Sequence, residues 1–180
     1  MVCLIHMHMS RPLANSQARA VVKTADVNNK VQKECLLREY NHHRRPRIAS
    51  SQNFRQMYDT VNDQTSWTAQ KPFCLALEWM DTTLANISTE SHIENPVLIA
   101  SILKTVLGGF GELEREHLVY TGMPFAPLGV IIYIPDILST AGLKPANVLV
   151  SDIDGPSLEV KIGDLGLSSM PTHIPTHEWC

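Results

Sequence analysis

Hydrophobic positions along this chain change period from one segment to the next, and the changes predict its elements. Ala20–Ala25 is a short apolar run interrupted only by Lys23, the pattern of a strand. Between Val31 and Arg44 the residues Val31, Cys35, Leu36 and Tyr40 recur at helical spacing, with Lys33, Glu34, Arg38 and Glu39 among them. An amphipathic helix is expected there. Ile48–Gln70 is polar and irregular, with a strand or short helix expected around Phe54–Tyr58. Phe73–Met80 then reads as a buried strand that ends in a polar-aromatic turn. Asn95 and Pro96 open the strongest helix, because proline suits a first turn whose N–H has no partner anyway. Its stripe of Leu98, Ile99, Ile102, Leu103, Val106, Leu107, Phe110 and Leu113 holds a 3.6-residue period, despite Gly108, Gly109 and Gly111. Last, Leu143–Val150 and Val160–Leu167 each contain a β-type run, and together they predict a hairpin that brings Asn147 near Asp164.

Short strands mixed with two long helical patterns make this an α+β chain. Composition narrows the picture further. At 180 residues the chain suits one domain, and with 44% hydrophobic and 18% charged residues it is ordinary globular material. A net charge of -3 gives no support for nucleic acid or an anionic membrane as partner. Cys3, Cys35, Cys74 and Cys180 are scattered without a C-x-x-C pair and read as free thiols in a reducing compartment. Met1–Met9 lacks the apolar core of a signal peptide, and Leu128–Ile134 is too short to span a bilayer. The expected location is cytoplasmic or nuclear, with no membrane association.

Candidate chemistry gathers on a few side chains. Asn147 and Asp164 would present two oxygen donors beside the hairpin, a plausible Mg²⁺ site; either half alone reads better as a surface hairpin, with a Lys-Pro turn and an Asp-rich loop. Taken singly, Lys23 reads as a surface lysine, and Glu39 as one half of an exposed pair with a neighbouring base. His42-His43-Arg44-Arg45-Pro46-Arg47 reads as a solvated helix end, where cations suit the dipole, or as a phosphate-contact patch.

Taken together, these features resemble the eukaryotic-type protein kinase family. Leu143-Lys144-Pro145-Ala146-Asn147 is similar to the end of H-R-D-L-K-P-x-N, and Asp164-Leu165-Gly166 to D-F-G with Leu for Phe. Val21-Val22-Lys23 falls where the family has the strand lysine of V-A-I-K, and Glu39, 16 residues on, suits the helix glutamate that pairs with it, with Glu34 a second candidate. The resemblance spans roughly Val21–Leu167 and is nearest to divergent, fungal, Ser/Thr kinase-like proteins. It implies a two-lobe kinase-like fold, incomplete here, with residues 20–80 as small lobe and hinge and residues 81–180 as part of the helical lobe. It also implies ATP and Mg²⁺ as cofactors and a protein substrate or partner. By the same resemblance Lys23 and Glu39 anchor ATP, backbone groups of the hinge Glu78, Trp79 and Met80 meet the adenine, Asn147 and Asp164 hold Mg²⁺, and Lys144 contacts the transferred phosphate.

Three departures qualify the implied activity. Gly142 stands where the family has its catalytic-base Asp. No glycine precedes Gly108, so no glycine-rich loop covers the phosphates. An apolar, proline-containing stretch, residues 122–141, interrupts the catalytic loop and reads either as a translated unspliced intron or as a hydrophobic docking insertion. The expectation is nucleotide binding with impaired transfer; the alternative is an inactive pseudokinase acting as a nucleotide- or protein-binding module.

Overall fold

A computed structural model describes residues 7–9, 19–62, 64–88, 95–120 and 143–169; Gly142 and the stretch 122–141 lie outside them. Four strands form an antiparallel sheet in the order β1-β2-β4-β3: β1 (Met7–Met9), β2 (Ala20–Thr24), β3 (Met57–Val61) and β4 (Cys74–Glu78). Burial alternates along β2, so Val21 and Lys23 share its inward face. Helix α1 (Lys30–His43) packs on that side, started by Asn29, whose side chain accepts the Gln32 N–H at 3.1 Å. Ala25, Leu36, Trp67, Phe73, Leu75 and Leu77 form the core between them. Tyr40 meets Phe73 edge-on, with centroids 5.3 Å apart.

The predicted hairpin is present as β7 (Val148–Ser151) and β8 (Glu159–Ile162), with β5 (Thr82–Thr83) on the far side of β7. The long helix α3 (Pro96–Arg115) begins at the expected Asn95-Pro96, where the Asn95 side chain accepts the Leu98 N–H at 2.9 Å. Leu98, Ile102, Val106 and Leu113 of its apolar stripe enter a second core with Phe54, Leu84, Val148, Val150, Ile162 and Leu165, whereas Leu107 of the expected stripe is exposed. Thr105 Oγ1 donates to the Val160 carbonyl at 3.1 Å, and at Gly109 an added Cβ would lie 2.5 Å from Ile162 Cδ1. The helix backbone therefore rides close on β8. By length and composition alone α3 is apolar enough to cross a membrane, a feature that the count of uninterrupted apolar residues missed. Short strands β6 (Val119–Tyr120) and β9 (Ser168–Ser169) pair beyond its end.

The expected division near residue 80 is not clean. Helix α2 (Pro46–Ala49) and the turn after it carry Ile48 and Phe54 into the second core, although both precede β3 in the chain. The Ile162 N–H donates to the Asn53 carbonyl at 2.8 Å, and the Arg55 N–H donates to the Ile162 carbonyl at 2.9 Å. One residue on, the Gln56 carbonyl accepts the Glu78 N–H at 2.8 Å. Asn53–Gln56 is thus bonded to the hairpin at one end and to the four-stranded sheet at the other. This stretch, read as irregular from its polarity, is the seam of the molecule.

Candidate functional site

Lys23 lies at the centre of a buried ionic cluster. Its inward position on β2 leaves it 7% exposed, and Glu39 on α1 is 1% exposed. Nζ of Lys23 stands 2.5 Å from Glu39 Oε2 and 2.9 Å from Asp164 Oδ1. The sequence separates Lys23 from Asp164 by 141 positions, so only the tertiary fold makes this pair. One turn along α1, His43 Nε2 approaches Glu39 Oε1 to 3.9 Å.

The electrostatics follow from that geometry. Burial alone would raise the Glu39 carboxyl, but the Lys23 ammonium, with help from His43, outweighs it and holds Glu39 down at about 2 against an ordinary 4.5. For Lys23 burial is again the largest single influence and acts to lower its pKa; Glu39 and Asp164 together reverse it and leave the lysine raised above 10.5. Both partners are charged over the neutral range.

Asp164 is delivered by the hairpin. Val148 pairs with Ile162, which sets Asn147 opposite Gly163, and the Gly163 N–H donates to the Asn147 carbonyl at 2.8 Å. The backbone then turns left-handed at Asp164, with φ of 55°. Immediately after it, Gly166 passes so close to α1 that an added Cβ would lie 2.8 Å from the Cys35 carbonyl oxygen. Arg38 Nη1 donates to the Gly166 carbonyl at 3.4 Å. The second glycine of Gly163-Asp164-Leu165-Gly166 is therefore required by helix contact.

Several readings made residue by residue need correction. Lys23 is not a surface lysine, and Glu39 is not in an exposed pair. Glu34 is the exposed one, 3.8 Å from Lys30 on the outer face of α1. His42 and His43, read as part of a solvated helix end, are 6% and 4% exposed, because the chain folds back through α2 over that end of α1. Of the basic side chains in the run only Arg44 and Arg47 are exposed.

Glu78 departs from the adenine-contact role expected for it. Its N–H goes to the Gln56 carbonyl, and its own carbonyl accepts from Arg55 Nε at 2.7 Å. Its carboxylate takes the Gln56 N–H at 3.0 Å and Lys161 Nζ at 2.5 Å. Trp79 is half-buried beneath Arg19, and Met80 is buried. Lys144 is exposed and opens a tight turn at Pro145–Asn147, in which the Asn147 N–H donates to the Lys144 carbonyl at 2.8 Å. Asn147 is half-buried.

Sequence reasoning missed Lys161 and His43. Lys161 interrupts an apolar strand, as Lys23 does, and that interruption was the available signal. Among the described residues no group of three or more His, Cys, Asp or Glu is placed to hold a metal ion. A groove of about 400 Å³ lined by Asp81, Thr82, Val150, Asp152, Ile153, Asp154 and Gly155 shares no residue with the Lys23 cluster. Two of its three acidic side chains are bonded at the hairpin turn: Asp81 Oδ2 accepts the Asp152 N–H at 3.1 Å and Asp152 Oδ2 the Ser157 N–H at 2.8 Å. The chain matches no protein-family model, and no curated protein matches it.

Proposed function

We propose that this chain is a protein-kinase-like module that binds Mg²⁺·ATP at the Lys23–Glu39–Asp164 cluster and transfers phosphate to protein hydroxyls weakly. One observation carries the reading: a buried lysine that joins a helix carboxylate and a hairpin carboxylate at the same time. A lysine fixed by Glu39 is pre-oriented as a point charge for a phosphate oxygen, with its entropy of ordering already spent. Asp164, its side chain 31% exposed, keeps carboxylate surface open to an incoming cation.

The residues present fit Mg²⁺ of the kind held by one or two protein oxygens together with substrate phosphates. Asp164 and Asn147 would be those donors, since the hairpin sets Asn147 opposite Gly163, next to Asp164. Bound there, the ion would supply charge neutralisation at the phosphates. Lys144, exposed three residues before Asn147, would be the contact for a transferred phosphoryl group.

The weak link is the base. Glycine at 142 supplies no carboxylate to accept a hydroxyl proton, and general-base assistance is worth about 10²–10⁴-fold. That residue favours the second reading, a module that binds nucleotide or protein without transfer.

Calorimetric titration of ATP with and without Mg²⁺ tests the proposal. Mg²⁺-dependent binding, lost in Asp164→Asn and Lys23→Met, is the expected outcome. Absence of binding to the folded protein would overturn it. Gly142→Asp in the full chain separates the two readings, since phosphotransfer to a Ser/Thr peptide should rise only if the remaining apparatus is competent.

A further inference from the structure

A second, half-buried ion pair joins the same two elements as the Lys23–Asp164 pair. Glu78 and Lys161 have side chains 14% and 12% exposed, with Oε1 and Nζ 2.5 Å apart. Glu78 ends β4, three residues past Leu75, the register partner of Lys23. Lys161 lies on β8, three residues before Asp164. The four-stranded sheet and the hairpin are thus joined by two ion pairs of opposite polarity. The sheet offers Lys23 to Asp164 and Glu78 to Lys161, so sliding one against the other would bring like charges together.

Arg55 and Gln56 reinforce the second pair. Both bond to Glu78, and Arg55 also bonds to Ile162, next to Lys161. Glu159 Oε2 stands 3.5 Å from the same ammonium on its solvent side. Glu78 is therefore fixed from three directions on the strand that borders β2, and it holds the strand that delivers Asp164.

We infer that Glu78 and Lys161 are positioning residues, a clasp that sets how closely the hairpin carboxylate approaches Lys23 and so governs affinity at that site. For nucleotide affinity the inference rests on the function proposed above; for the approach of hairpin to sheet it does not. Cys35 reports the approach separately. Its carbonyl abuts Gly166, its thiol is partly covered, and burial, acting before the neighbouring charges, raises the thiol above its ordinary pKa. Cys74, buried on β4, serves as the control for general unfolding.

The experiment uses the full chain with Glu78→Gln, which keeps an acceptor for the Gln56 N–H, with Lys161→Met, and with both. Mg²⁺·ATP affinity is measured by calorimetry, and iodoacetamide labelling of Cys35 and Cys74 by peptide mass spectrometry under native conditions. The expected result is about tenfold weaker nucleotide binding in each single variant and no more than a further twofold loss in the double, since the two act as a unit. Cys35 labelling should rise severalfold while Cys74 labelling stays unchanged. Unchanged Cys35 labelling in all three variants would overturn the clasp, as would losses that multiply in the double variant. If the parent chain binds no nucleotide, the function proposed above fails and the labelling alone decides the clasp.

Discussion

Glu39 shows how one residue can carry a measurable share of stability. Its folded pKa of about 2 lies below its ordinary 4.5, so its contribution is present in full above pH 4.5 and is lost as pH falls toward 2. A shift of that size corresponds to on the order of 3 kcal/mol. Lys23 describes the same attraction from the other side: its pKa is raised, so its share persists below 10.5 and is lost as pH rises beyond that value. Glu39→Gln leaves the buried ammonium with Asp164 alone, and an expected loss of about 3 kcal/mol follows at pH 7. Urea unfolding between pH 7 and pH 2.5 checks both points. The variant should be less stable at neutrality, and its stability should fall less steeply with acid than the parent's. None of this burial was legible in the local pattern. Lys23 and Glu39 occupy positions that polarity alone assigns to the surface, and their partner Asp164 lies in a hairpin more than a hundred residues away. Motif order suggested the grouping; only tertiary contact desolvates it.

At the scale of elements, the glycines of α3 divide by what they face. Gly111 has nothing within 4 Å of an added Cβ, so Gly111→Ala should gain about 1 kcal/mol from helix propensity. An added Cβ at Gly109 would lie 2.5 Å from Cδ1 of the fully buried Ile162, so Gly109→Ala must displace that side chain within a filled core, and overpacking of this kind costs about 1–3 kcal/mol. Thermal melts of the two variants should move in opposite directions from the parent. Elements with a clean period were the legible part of this fold: α1, α3, β2, β4 and the hairpin lie close to where hydrophobic spacing puts them. The seam at Asn53–Gln56 was hidden because its order comes from backbone bonds to Ile162 and Glu78 rather than from any periodicity of its own.

Across the whole molecule, that seam makes two cores answer to one event. Phe54 is fully buried in the second core, while the residues just after it bond to β4 of the first sheet. Phe54→Ala should cost about 3–5 kcal/mol, and both cores should lose stability together. Far-UV dichroism, dominated by α1 and α3, and near-UV dichroism from the Tyr40, Phe73 and Trp67 cluster give the check. Coincident midpoints are expected before and after the substitution, and a near-UV transition left in place would contradict the coupling.

The left-handed turn at Asp164 gives the ionic cluster a further property. A non-glycine residue with φ of 55° is held against a backbone preference of about 1 kcal/mol. The ion pair with Lys23 offsets part of that cost. A variant without the lysine would carry the strain of the turn with less to offset it.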